Sequence, residues 1–168
     1  RYLDEKKQRV NRAIGPVHHS VRAKSVRNLA KKFGYNEKHA LKVSELALKL
    51  FDQLQDHHRF SGFERELLKY GAVLHDIGHF INRSGHHKHG QYIIMNSGLS
   101  GFSHDEIMIM GNVVRYHRKS LPTRDHFHFK VLNQQKRFIV RYLAGIIRIA
   151  DHLDRGHRNI VNDLVVST

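Results

Sequence analysis

Apolar residues recur along this chain at the three-to-four-residue spacing of one helix face and almost never with the alternation of a strand. The pattern predicts an all-α fold of about seven helices. A charged segment over 3–14 is closed by Gly15 and Pro16, and a second helix over about 20–33 stops at Gly34, a residue type that tolerates the left-handed turn after a helix. Asn36 caps a long helix reaching about 55, whose buried stripe is Ala40, Val43, Ala47, Leu50 and Leu54. Ser61 with Glu64, and Ser103 with Glu106, have the spacing of a capping box. The first opens a helix that carries Leu67, Leu68, Ala72, Leu74 and Ile77 and ends near 81. The second opens one running through Ile107, Val113 and Val114 to His117. A shorter helix is expected over about 88–96, a loop over 120–129 around Pro122, and a last long helix over about 134–153 carrying Phe138, Tyr142, Leu143, Ile146, Ile147 and Ala150. The apolar, β-branched stretch 160–166 reads as either a short strand or a docking tail. Residues 1–16, charged and poor in core candidates, read as an amino-terminal linker helix, and 17–168 as one helical domain.

The same periodicity puts ionisable groups on faces that should be buried. His39 precedes Val43, Leu46, Leu50 and Leu54 at i+4, i+7, i+11 and i+15; His75 follows Leu68 and Ala72 on the inner face, with Asp76 beside it; Asp151 follows Ala144 and Ile147. A bare buried carboxylate is too costly to keep ionised, so Asp76 and Asp151 require hydrogen-bonded cationic partners or a metal ion. For any one of these residues a core histidine or a buried ion-pair partner is a sufficient account. For the four together it is not, and ligands from three helices can converge on one divalent ion. His79, one turn after His75, and the cations Arg115, Arg118 and Lys119 around His117 are the candidates for holding phosphate.

Composition narrows the chemistry. With 168 residues, 40% of them hydrophobic, the chain is long enough for one domain with a real core. It has no cysteine, so any metal must sit on His, Asp and Glu, and an intracellular setting is expected. Lys and Arg outnumber Asp and Glu by 29 to 15, and this formal charge of +14 favours polyanionic partners. No apolar run long enough to span a membrane and no signal-peptide pattern is present, so a cytoplasmic protein is expected. The chain opens on Arg1, and an upstream part is expected. Sixteen histidines are spread along it, many of them, such as His18 with His19 and His57 with His58, readable as exposed spectators.

The order His39, then His75-Asp76 within the string HDIGH, then Asp151 resembles the H…HD…D signature of the HD superfamily of metal-dependent phosphohydrolases. That resemblance implies one ion held by His39, His75, Asp76 and Asp151. The histidines between the pair and the last Asp resemble the superfamily's binuclear branch, with His87 or His89 and His117 as further ligands, the sequence leaving open which of His86, His87 and His89 is one, and Asp76 as the shared carboxylate. The strings SVRNLAKKFGYNEKHALKVSELALKLFDQL, HHKHGQYIIMNSGLSGFS and VRYHRKSLP are similar, more closely, to the C-terminal helical domain of the exopolyphosphatase and guanosine pentaphosphate phosphohydrolase family. In that family the exopolyphosphatase reaction belongs to an actin-like pair of domains, and neither its Gly-rich phosphate loop nor its alternating strands occur in this sequence. Some members have lost parts of the HD set that this chain retains.

The resemblance implies a phosphohydrolase acting on a phosphate ester or anhydride (a nucleotide, a guanosine polyphosphate or polyphosphate). One or two divalent ions would supply an activated water, with Asp76 and His79 as the catalytic residues. Mn, Fe, Zn, Mg, Ni and Co are not distinguished. The competing reading is a non-catalytic basic module that binds polyphosphate or RNA, or mediates homodimerisation. A DNA-binding reading lacks a helix-turn-helix pattern, and the absence of a GYP motif counts against cyclic-di-GMP as the substrate.

Overall fold

The computed structural model describes residues 21–167. Among them are eight α-helices and no strand: α1 over 21–32, α2 Glu37–Gln53, α3 Gln55–His58, α4 Gly62–Leu74, α5 His86–Asn96, α6 His104–Arg115, α7 Phe127–Lys130 and α8 Gln134–Leu153, with a 3-10 turn at Ile77–Phe80. The caps fall where the polar residues placed them. Asn36 accepts from the His39 backbone N–H, both capping boxes form at Ser61 and Ser103, and Asn133 accepts from Lys136. Each cap satisfies an otherwise orphaned amide and contributes about 1 kcal/mol.

Helices α2, α4, α6 and α8 pack around one core, and α5 lies between α6 and the 3-10 turn, in contact with both. The core is built from Val43, Leu46 and Ala47 of α2, Leu67, Leu68 and Ala72 of α4, Val113 and Val114 of α6, and Leu143 and Ile147 of α8. Phe138 is half exposed; Ile139 and Val140 fill the buried positions at that turn of α8. A buried ion cluster that the periodicity gave no sign of ties α1 to α4 and α6. Arg22 donates to Glu66 and to Glu106, each at 2.7 Å, and to the Gly101 carbonyl at 2.9 Å.

Several elements differ from their sequence expectations, and over 160–166 one of two alternatives is realised. The fourth helix stops at Leu74 instead of running to about 81, and the chain continues through the 3-10 turn. Gly78 explains the tight approach that follows. A Cβ there would collide with the His86 carbonyl oxygen and come within 2.5 Å of the Gly90 nitrogen, so the turn can seat against α5 only without a side chain. Helix α6 ends at Arg115, short of His117. The 120–129 loop gives way at its end to the short α7, pinned by the fully buried Phe129. The stretch 160–166 is a docking tail and not a strand. Val161, Leu164 and Val166 pack on the core, and Gln53 brackets the backbone by donating to the Leu164 carbonyl and accepting from Val166 N–H. The proposed linker helix at 1–16 lies outside the described residues.

Candidate metal centre

Four histidines from four places in the fold point at two carboxylates. His39 stands in the first turn of α2, His75 caps α4, His86 opens α5 and His117 follows α6; Asp76 precedes the 3-10 turn, and Asp151 lies in the last turn of α8. All four histidines are buried. His39 Nε2 lies 3.3 Å from Asp151 Oδ1 and 3.9 Å from Asp76 Oδ2; His75 Nε2 lies 3.6 and 3.5 Å from the same atoms. On the other side of Asp76, its Oδ1 is 3.0 Å from His86 Nε2, 3.7 Å from His117 Nε2 and 3.3 Å from His79 Nε2.

The second ring nitrogen of each histidine fixes how it presents the first. Nδ1 of His75, His86 and His117 contacts the backbone carbonyl three residues earlier, at Ala72, Arg83 and Val114, and Nδ1 of His39 contacts Asp154 Oδ2 at 2.9 Å. A carbonyl or carboxylate oxygen can only accept, so Nδ1 carries the proton in each neutral ring and the Nε2 lone pair faces Asp76 or Asp151. Among the described residues Nε2 of His39 and of His75 is buried without a hydrogen-bond partner, and Nε2 of His86 and of His117 stand only 3.3 Å apart. Lone pairs crowded against each other and against carboxylates repel unless a proton or a metal ion lies among them. The donor set of imidazole nitrogen and carboxylate oxygen, with each imidazole oriented from behind, fits a divalent ion. His39, His75 and Asp76 have ligand atoms close enough to share one, as do Asp76, His79 and His86.

The imidazoles and carboxylates also shift one another's protonation. Burial opposes ionisation of Asp76, but His75, His86 and His117 more than offset it and hold its pKa well below the usual carboxylate range; His39 and His75 do the same for Asp151. Burial likewise opposes protonation of His39 and His75, and the carboxylates around them reverse that, raising both above the ordinary histidine value. Burial and the neighbouring His75 bring His117 down to about 3, and burial lowers His79.

The cluster opens into a cleft of about 540 Å³ lined by Asp76, His79, Arg83, His86, Arg118, Asp151, His152, Arg155 and His157. His39, His75, Asp76, His79, Asp151, His117 and Arg118 are therefore gathered at one place. His87 and His89 are not part of it. Helix α5 begins at His86, and one residue further round, His87 is turned away by about 100°. Buried near Arg115, its pKa falls to about 4. His89 is half-buried. Arg115 stands with His87 outside the cleft lining, and Lys119 lines a smaller adjoining hollow with Arg118, Arg148 and His152. Sequence reasoning left His86 unresolved among its neighbours, and it missed Asp154, Arg83, Arg155 and His157. The i, i+3 spacing of Asp151 and Asp154 was a usable signal; Arg83 and His157 lie on irregular segments where periodicity gives none.

Residues 21–167 match the sequence model of Ppx/GppA phosphatase, domain III. A guanosine-5'-triphosphate,3'-diphosphate pyrophosphatase of Pseudoalteromonas translucida (strain TAC 125) is 29% identical over 136 residues, covering 80% of this chain and 27% of that protein. The chain thus spans little more than a quarter of that relative's length. With all but the ends of the chain matched, on the very helices that assemble the cluster, it belongs to the Ppx/GppA phosphatase family, as its domain III.

Proposed function

We propose that this domain is an HD-type, metal-dependent phosphohydrolase that cleaves a phosphate ester or anhydride. The observation that carries the reading is the convergence of four inward Nε2 atoms on two carboxylates, a donor set that a divalent cation among them would satisfy. In this reading His39, His75, Asp76 and Asp151 hold one ion, and Asp76 with His86 and His117 offers a second position. When bound, the ion supplies an activated water and polarises a phosphoryl oxygen.

The remaining work falls to the chain's own side chains. Arg83, Arg118 and Arg155 enter the cleft from three separate segments, and none of them pairs with a carboxylate among the described residues, so their charge is available to phosphate oxygens. His79 is one-third exposed at the cleft wall, and because its pKa is lowered it is neutral near pH 7, able to take up or pass on a proton beside Asp76. The substrates in view are a nucleotide, a guanosine polyphosphate or polyphosphate.

Phosphate release from these compounds with added manganese, in the wild type and in Asp76→Ala, tests the reading. Release that stops with chelator and in the variant supports it; release that survives either, or fails for all three substrate classes, overturns it. The competing reading, a basic module that only binds polyphosphate or RNA, is favoured by the net charge of +14. It expects binding that weakens steeply with salt and ignores chelator.

A further inference from the structure

Among the four inward histidines His39 is held differently. The other three give their Nδ1–H to a backbone carbonyl of their own helical turn or loop, at Ala72, Arg83 and Val114. His39 gives it to a side chain 115 positions away, the carboxylate of Asp154, at 2.9 Å. Asp154 is only 4% exposed and sits at the carboxyl end of α8, one turn beyond Asp151. Its two oxygens have separate tasks: Oδ2 takes the His39 Nδ1–H, and Oδ1 takes the Asn159 backbone N–H at 2.9 Å. The ring of His157, in the turn that Asp154 closes, stacks on His39 at 3.7 Å and is 3.3 Å from Asn36, the cap of α2.

We infer that Asp154 is a positioning residue: it fixes the tautomer of His39, so that Nε2 presents a lone pair to Asp76 and Asp151, and it makes that nitrogen a stronger donor to a divalent cation. A carboxylate behind an imidazole does both. His39 needs such a partner, because its backbone lies in the first turn of α2, where the carbonyl three residues earlier is that of the capping residue Asn36 and no bond from the ring to it forms. The inference rests on the metal reading above in its second half only; the tautomer is a property of the metal-free chain.

Asp154→Asn separates the possibilities. Asparagine has one acceptor oxygen where aspartate has two, and Asn159 N–H competes for it. With that oxygen kept on Asn159, the amide N–H₂ faces His39 Nδ1, which must then accept, and the proton moves to Nε2. The ring-nitrogen NMR spectrum of His39 in the metal-free protein, assigned against His39→Gln and recorded above the pH of its titration, should change from the Nδ1–H to the Nε2–H form. Manganese titration should show affinity falling about 10-fold to 100-fold. Asp154→Ala, which removes both acceptors, serves where the asparagine variant fails to fold, with the expectation that the Nδ1–H form is no longer the sole one. An unchanged tautomer in a folded variant overturns the inference, whatever happens to affinity, and so does manganese affinity within twofold of the wild type. A wild type that takes up no manganese sinks the metal reading instead, and the nitrogen spectrum then still decides the role of Asp154.

Discussion

Gly78 is the residue on which the separation of the two halves of the cluster depends, and Gly78→Ala is the sharpest test of that packing. A Cβ at this position meets backbone atoms, the His86 carbonyl and the Gly90 amide nitrogen, which cannot swing aside as a side chain could. Restoring ordinary contact of 3.4 Å from the 2.5 Å to Gly90 N alone requires the 3-10 turn and α5 to part by about 0.9 Å, and clearing the closer His86 carbonyl oxygen requires more. The gap between Asp76 Oδ1 and His86 Nε2, 3.0 Å in the native packing, must widen with it because the two residues ride on the separating segments. Overpacking of this kind costs about 1–3 kcal/mol. For a domain of this size that is a fall in Tm of about 2–12 °C. Thermal unfolding followed by circular dichroism measures it. Gly145→Ala is the control: it lies inside α8 with nothing within 4 Å of the added carbon, and the same chemical change there should stabilise by about 0.5–1 kcal/mol. If Gly78→Ala matched Gly145→Ala in Tm, the close approach would be no constraint and the reasoning would be refuted.

Further outcomes follow from other parts of the fold. Replacing Arg118 and Arg155 together by Ala should raise KM for a polyanionic substrate about 10-fold or more while metal content stays constant, whereas Lys119→Ala, outside the cleft, should change KM less than twofold; equal effects would reject the arginines as a phosphate clamp. Arg22→Met leaves Glu106 buried without its cation and should cost about 3–5 kcal/mol in urea unfolding; a loss under 1 kcal/mol would show the cluster to be dispensable. Burial, helped by Glu66, raises the Tyr70 pKa to about 12 from an ordinary 10.0. The folded state therefore binds this proton more tightly than the unfolded chain, so the contribution is complete below pH 10 and is lost as pH rises toward 12. Urea unfolding at pH 9, 10 and 11 should show a shallower alkaline loss in Tyr70→Phe than in the wild type, and parallel curves would contradict the assignment.

Much of this was readable from the chain because helices advertise themselves locally. Asn36, Ser61 and Ser103 announced their helix starts through hydrogen bonds that span three residues, and the apolar stripe of α2 carried His39 inward by geometry alone. His75, Asp76 and Asp151 followed in the same way. What periodicity could not supply is contact between segments far apart in sequence. The choice of His86 over His87 and His89 depended on where α5 begins, two residues before its expected start, and a shift of that size turns a helix face through about 200°. The bond from His39 to Asp154, the Arg22 cluster and the seating of Gly78 on α5 are all contacts of this kind. Arg83 and Arg155 reach the cleft from turns, where side-chain direction is set by backbone torsions that no apolar pattern encodes.

The central claim is that the histidine and carboxylate cluster holds a divalent ion, and metal content at equilibrium tests it most directly. Wild-type protein dialysed against manganese and then measured by elemental analysis should retain one to two equivalents, with Asp76→Ala retaining none and Lys24→Ala, a surface change away from the cleft, matching the wild type. Wild type that carries no more manganese than Asp76→Ala would contradict the claim.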